Sequence, residues 1–276
     1  MPMESTPEIM GKKIMDRTIS RDQDHGGILS ELTGAQGVGK TGVLLSFTNN
    51  TMASNPTEKI FWREQMDAPL QTFKLGLDKI CFFVKKGSNV VFRDRNQRLK
   101  EIDLNPVYFR DYDELYDIAP AGRTSVVFFD DDNEWMDWIH YLRGVGEWVN
   151  LFIDEMADIA PAVCSGDLYK RVVKFSNDMG AVRRCMMNCF YNTQTASDVH
   201  WTVRKKVMLK VFLPGAITDK SSRVTQKAID GLERDPVKGN EAYLDIGGEF
   251  GIVRFANIWK PNPKYHIEAH YKDDEQ

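Results

Sequence analysis

A chain of 276 residues with a formal net charge of -4 can bury one large α/β core, and it carries no overall positive charge that would attract nucleic acid. Its 42% hydrophobic and 28% charged residues are typical of soluble proteins, and no run of about 18 uncharged apolar residues predicts a membrane span. Residues 1–13 also lack the apolar segment of a secretory signal, so we expect a cytoplasmic protein.

The four cysteines are interpreted as reduced thiols. They form no CxxC pair, and no histidine accompanies them at the spacing of zinc ligands. Cys185 and Cys189 fall in an apolar run, where cysteine is more often a small core residue than a ligand. The cysteines therefore predict no zinc site.

The first part of the chain differs from the rest. Residues 1–26 are polar and show no clear period, so we predict a loosely attached arm that contributes little to the core. Residues 27–276 are expected to form one domain. Within it, the apolar run Ile28–Leu32 precedes a glycine-rich segment, and Thr41–Phe47 has the apolar spacing of a helix. The predicted order is strand, loop, helix.

Further apolar runs predict a sheet. Strands are expected at residues 59–63, 125–129, 148–153, 185–191, 207–213 and 251–259, with helices at 133–143 and 166–177. Residues 80–93 are predicted to form a β-hairpin that turns at 86–89 and projects from the main sheet. Because strands alternate with helices, we predict an α/β fold with a mainly parallel sheet flanked by helices.

The glycine-rich segment carries a complete phosphate-binding motif, Gly-x-x-x-x-Gly-Lys-Thr, at residues 34–41. Between a strand and a helix, its backbone N–H groups and the positive end of the helix dipole can face phosphates. Lys40 would reach the β- and γ-phosphates of ATP, and the Thr41 hydroxyl would bind Mg²⁺. The predicted nucleotide-binding residues are Gly34, Gln36, Gly37, Val38, Gly39, Lys40, Thr41 and Gly42.

An acidic pair, Asp154 and Glu155, directly follows the predicted strand at 148–153. We assign Asp154 to Mg²⁺, held through its water shell, and Glu155 to polarising the attacking water. Capping of the next helix is the structural alternative for this pair. The three aspartates 130–132, which follow another strand, are an alternative metal site and are called the rival cluster below. We prefer Asp154 and Glu155 because an aspartate followed by a glutamate can bind the metal and activate water, whereas three aspartates suggest no such separate roles.

Asn192-Thr193-Gln194 follow the next strand, and Gln194 could sense the γ-phosphate. The P-loop, the Asp-Glu strand end, two arginines before a further strand and this glutamine together resemble the FtsK–HerA superfamily of DNA-pumping ATPases. Residues 192–204 are similar to the segment after the sensor strand in archaeal and viral genome-packaging ATPases. The resemblance covers about residues 27–213 and implies a RecA/ASCE-like P-loop sheet.

The same resemblance implies an assembly and a partner. Members of the superfamily form hexameric rings in which an arginine of one subunit completes the neighbour's site, and Arg183 or Arg184 would be that arginine here. The alternative is that both are surface arginines at the C-terminus of a helix, with no catalytic role. The resemblance further implies movement of double-stranded DNA, with a capsid or portal as partner and a place in the host cytoplasm or on the virion.

Two other functions stay open. One is a conjugation or secretion motor of the same superfamily, and the other is a nucleotide-dependent binding switch with slow hydrolysis. A kinase is disfavoured because Glu155 suits hydrolysis and no acceptor site is recognisable. The absence of a guanine-reading motif favours ATP over GTP.

Residues 218–240 match no known motif. Their basic residues, which could contact DNA phosphates from a pore-facing loop, are Lys220, Arg223, Lys227, Arg234 and Lys238. Acidic residues are interspersed among them, and this pattern favours a solvated loop.

Overall fold

The computed structural model describes residues 6–21, 26–218, 224–235, 239–256 and 263–272. The described strands are β1 (Leu29–Thr33), β2 (Lys59–Arg63), β3 (Ile80–Lys85), β4 (Val90–Asp94), β5 (Lys100–Ile102), β6 (Val107–Phe109), β7 (Thr124–Phe128), β8 (Val149–Ile153), β9 (Met187–Thr193), β10 (Leu209–Phe212), β11 (Arg234–Asp235), β12 (Gly239–Ile246), β13 (Glu249–Phe255) and β14 (Ile267–Tyr271). The described helices are α1 (Pro7–Ile19), α2 (Lys40–Ser54), α3 (Tyr112–Ile118), α4 (Asn133–Leu142), α5 (Met156–Ile159), α6 (Gly166–Ala181), α7 (Trp201–Arg204) and α8 (Gln226–Asp230).

One mainly parallel sheet organises the chain. Its parallel part has the order β10-β1-β9-β8-β2-β7-β3-β6, and β12 extends it beyond β10 in the antiparallel direction, with β11 and β13 paired to β12. Every residue of β1, β7, β8 and β9 is buried, as expected for strands covered on both faces. The predicted α/β fold with a parallel sheet flanked by helices is confirmed.

The strand order determines where polar strand ends meet. β9 lies between β1 and β8 and pairs with both in parallel, with Thr33 level with Thr193 and Ile153 level with Tyr191. The carboxyl ends of these three strands therefore lie at one edge of the sheet. The P-loop after β1 and the acidic pair after β8 are separated by the width of a single strand.

The hairpin predicted at residues 80–93 is wrong. β3 lies inside the main sheet, parallel to β7 and β6, whereas β4 pairs with β5 and β14 in a separate small sheet. The reason is burial: consecutive residues Phe82, Phe83 and Val84 are all buried, so β3 needs cover on both faces. The hairpin of this region is formed instead by β4 and β5.

The expectation that residues 1–26 add little to the core is also wrong. Residues 7–19 form α1, in which Ile14 is 0% exposed and belongs to the core beneath α2. Gly11 packs so closely on β13 that a Cβ there would lie 2.1 Å from the carbonyl oxygen of Ile252. The buried positions are Gly11, Ile14 and Thr18, and because two of them are not strongly apolar, the helical period is not visible in the hydropathy.

The helices predicted at 133–143 and 166–177 are confirmed as α4 and α6, whereas α3, α5, α7 and α8 were not predicted. Both tryptophans of α4, Trp135 and Trp138, are buried in the core, where they contribute packing. No helix in the described ranges is long and apolar enough to cross a membrane.

The docking of α1 can be tested with Ile14→Ala. Because the side chain is 0% exposed, we expect the substitution to lower the free energy of unfolding by about 2–5 kcal/mol, measured by urea denaturation. The matched control is Ile9→Ala on the same helix, where the side chain is 41% exposed and the change should stay within about 0.5 kcal/mol. Equal effects of the two substitutions would show that α1 is not docked.

Candidate nucleotide-binding site

The loop between β1 and α2 has the conformation that a phosphate-binding loop requires. Gly37 (φ 74°) and Gly39 (φ 88°) adopt the left-handed region, which other residues rarely enter. Gly39 is the N-cap of α2 and offers no side-chain cap, so the first N–H groups of the helix are left for another acceptor. Lys40 Nζ donates to the carbonyl oxygens of Gly34 (3.0 Å) and Ala35 (3.2 Å), which places its charge across the loop.

Two residues of the segment 218–240 donate hydrogen bonds to carbonyl oxygens of this loop. Arg234 Nη2 donates to the carbonyl oxygen of Gly37 at 2.7 Å, and Asn240 Nδ2 donates to that of Val38. Arg234 is therefore tied to the P-loop, which the sequence did not predict. Lys227 is exposed on α8. Of the other basic residues, Lys220, Arg223 and Lys238 lie outside the described residues.

Asp154 meets the P-loop helix at the carboxyl edge of the sheet. Its Oδ1 accepts hydrogen bonds from Thr41 Oγ1 at 3.0 Å and from Asn192 Nδ2 at 2.5 Å. Burial raises the pKa of the Asp154 carboxyl, while these two bonds and the charge of Arg63 favour the ionised form. The structure thus brings together Thr41 and Asp154, the two residues predicted to share a metal ion.

The next residue, Glu155, is held in an uncommon backbone conformation. Its φ is 59°, in the left-handed region, where a residue with a side chain is strained. The Glu155 N–H donates to Asn192 Oδ1 at 2.8 Å, and Arg63 Nη1 donates to the preceding carbonyl oxygen, that of Asp154, at 2.5 Å. Burial raises the pKa of the Glu155 carboxyl, although the Thr193 hydroxyl opposes this. Two neighbouring side chains therefore fix the turn that carries both predicted site carboxylates.

Arg63, at the end of β2, is a residue that sequence reasoning missed. Its side chain is 2% exposed, and Nη2 bonds to Asp132 at 2.6 Å and to Asp158 at 3.0 Å. Asp132 belongs to the rival acidic cluster, so one member of that cluster is committed to an ion pair. Asp131 accepts from the N–H groups at the start of α4. These contacts give the cluster structural tasks and favour Asp154 as the metal edge.

A second missed residue, Glu64, follows Arg63 directly. Its carboxyl is buried, and Oε1 accepts from the Thr72 N–H and hydroxyl, both at 2.7 Å. Burial raises the pKa of Glu64 to about 7, and the negative charge of Asp154 adds to this rise. The only sequence signal was a charged pair, Arg63-Glu64, at the end of an apolar strand.

The other predicted site residues are not all at this edge. Gln194 is exposed immediately after β9, and Asn192, two residues earlier, makes the contact to Asp154. Arg183 and Arg184 lie in a 3₁₀ turn before β9. The Gly27 N–H donates to the Arg183 carbonyl oxygen, which places this turn beside the start of β1. The two arginines therefore lie at the amino-terminal edge of the parallel strands, opposite the P-loop of their own chain. Their action on a neighbouring subunit stays a prediction.

Comparison with known proteins supports this architecture. No protein-family model matches the sequence, and no curated protein matches it. The genome packaging NTPase B204 from Sulfolobus turreted icosahedral virus 2 in complex with AMP matches with a TM-score of 0.51 and 12% identity, covering 83% of this chain and 97% of that chain. Its complex with sulfate gives 0.50 and 12%, covering 86% and 99%. The chain therefore shares the fold of a packaging-type P-loop NTPase, as the sequence resemblance predicted.

The buried Glu64 carboxyl should make stability depend on pH. Folding raises its pKa from 4.5 to about 7, so between these values the folded chain keeps a proton that the unfolded chain releases. The free energy of unfolding should then fall as pH rises from 4.5 to 7, by up to about 1.4 kcal/mol per pH unit. Glu64→Gln stays neutral and should lack this part of the decline in urea denaturation at a series of pH values.

The control for this experiment is Glu101→Gln, because Glu101 is an exposed glutamate on β5. It should follow the wild-type pH dependence. If Glu64→Gln follows it as well, Glu64 does not carry a buried proton in the folded chain.

Proposed function

We propose that this chain hydrolyses ATP to ADP and phosphate at the edge of the sheet formed by β1, β9 and β8. The observation that carries the proposal is the contact between Thr41 and Asp154, which joins the P-loop helix to an acidic strand end with Glu155 beside it. A phosphate-binding loop, an oxygen ligand pair and an adjacent carboxylate are the parts that P-loop hydrolysis needs.

The oxygen atoms of the site fit Mg²⁺ bound together with nucleotide. Mg²⁺ prefers oxygen ligands and is usually bound by one or two carboxylates plus substrate phosphates. Thr41 Oγ1 and Asp154 Oδ1, 3.0 Å apart, would supply such oxygen atoms, the first as a ligand and the second through the water shell of the ion. In the described ranges no group of three or more His, Cys, Asp or Glu side chains could hold a metal ion. We therefore expect Mg²⁺ to enter with ATP, where it would neutralise phosphate charge.

Each residue then has a distinct task. When ATP binds, Lys40 Nζ leaves the carbonyl oxygens of the loop and donates to phosphate oxygens instead. Glu155 accepts a proton from the attacking water, and the raised pKa of this carboxyl suits a general base because it strengthens its basicity. Asn192 positions the Asp154 carboxylate and the Glu155 backbone together, and Gln194, exposed directly after β9, senses the γ-phosphate.

The work done by hydrolysis is proposed to be translocation of double-stranded DNA into a capsid. The supports are the sequence resemblance and the fold shared with a genome packaging NTPase. In this proposal the chain assembles as a hexameric ring, as members of the FtsK–HerA superfamily do, and Arg183 or Arg184 reaches the site of the neighbour. A capsid or portal would be its partner, in the host cytoplasm or on the virion.

The proposal predicts a DNA-stimulated ATPase. Phosphate release should rise when linear double-stranded DNA is added, and the stimulation should fall steeply between about 50 and 200 mM salt because phosphate contacts are screened. Lys40→Ala serves as the blank. An active ATPase that ignores DNA would contradict translocation and favour the switch or the secretion motor.

The same assay separates the two acidic strand ends. Glu155→Gln should retain ATP binding and lose turnover by about 10²–10⁴-fold, the usual contribution of a general base. The matched control is Asp130→Asn in the rival cluster, which should leave turnover unchanged because Asp130 is exposed. Wild-type turnover in Glu155→Gln would remove the assignment.

A further inference from the structure

A cavity of about 680 Å³ opens between α1, α2 and the strands β12 and β13. Small-molecule sites in proteins commonly enclose about 300–1,000 Å³, so its size suits a nucleoside. Its lining includes Lys12 of α1, Asn49 and Asn50 of α2, and Ile252 and Phe255 of β13. Glu8, Glu241 and Arg254 also line it, so the cavity combines apolar surface with polar and charged side chains.

A face of α2 connects the cavity to the P-loop. Gly42, Ser46, Asn49 and Asn50 are spaced by four, seven and eight residues, so they lie along one side of the helix. The last three line the cavity, and a Cβ at Gly42 would meet no atom within 4 Å. At 1.5 Å per residue the stripe from Gly42 to Asn49 is about 10 Å long. The helix face is thus open at Gly42, one residue after Thr41, and one turn further Ser46 Oγ donates to the carbonyl oxygen of Ala256, a residue of the cavity wall, at 3.3 Å.

β12 provides a second, independent connection. Asn240 donates to the P-loop carbonyl oxygen of Val38, and the next residue, Glu241, lines the cavity. Phe255, which pairs with Asn240 across the two strands, lines it as well. The cavity is thus bounded by two elements that both touch the P-loop.

We propose that this cavity binds the adenine base and ribose of the nucleotide whose phosphates the P-loop holds. The inference rests on the proposed function and adds the site that reads the nucleoside. Ile252 and Phe255 offer apolar surface to the flat base, and the amide of Asn50 offers one donor and one acceptor, the pair that an asparagine presents to adenine. Glu8, Lys12 and Met15 of α1 also line the cavity, so the amino-terminal helix becomes part of the binding site.

The test compares ATP with tripolyphosphate, which has the phosphates and no nucleoside. Binding of each, with Mg²⁺, is measured by titration calorimetry. Asn50→Trp, an exposed position on the cavity wall, should fill the cavity and weaken ATP binding by about tenfold or more, or about 1.4 kcal/mol. Tripolyphosphate binding should not change. Ile252→Trp should act in the same way from the opposite wall.

The matched control is Ser54→Trp, an exposed residue of the same helix that is outside the cavity lining. It should leave the affinity for both ligands as in the wild type. The inference is overturned if both cavity variants bind ATP normally, if they weaken both ligands alike, or if the wild type binds ATP no better than tripolyphosphate. If neither ligand shows binding that Lys40→Ala abolishes, the proposed function itself fails, and the inference with it.

Discussion

The burial of the Asp154 carboxyl is the constraint on which the rest of the site depends. A buried carboxylate is costly unless hydrogen bonds replace its water, and Asp154 receives them from Thr41 on α2 and Asn192 on β9. Those partners can reach it only because β9 lies between β1 and β8. The strand order, the position of the P-loop helix and the ionisation of Asp154 are therefore parts of one arrangement.

Glu155, the residue after Asp154, has a strained backbone conformation within the same arrangement. A left-handed backbone at Glu155 costs on the order of 1–3 kcal/mol, which is offset by the hydrogen bond that the Glu155 N–H donates to Asn192 and the one that Arg63 donates to the Asp154 carbonyl oxygen. Arg63 also ties the turn to Asp132 beyond β7 and to Asp158 in α5. Arg63 therefore connects the turn at the proposed metal edge to α5 and to the loop after β7, both on the side of the sheet away from α2.

The sequence predicted the parts of the site that are encoded by contiguous residues, and it missed the parts that depend on partners far away in the chain. The P-loop, β8 and the Asp154-Glu155 pair are contiguous motifs, and the structure has them where they were expected. Arg63 and Glu64 could not be found because burial of charged residues opposes hydropathy, and the partners of Arg63 are 69 and 95 residues away. Asn192 was noticed only as a neighbour of Gln194. α1 was missed because a glycine and a threonine fill two of its three buried positions.

A crystal structure with Mg²⁺ and a non-hydrolysable ATP analogue tests the central claim most directly. We predict that Lys40 leaves the carbonyl oxygens of Gly34 and Ala35 for the phosphates, and that the metal lies between Thr41 and the Asp154 side of the sheet. A metal bound to residues 130–132, or phosphates held away from the P-loop, would contradict this assignment of the site.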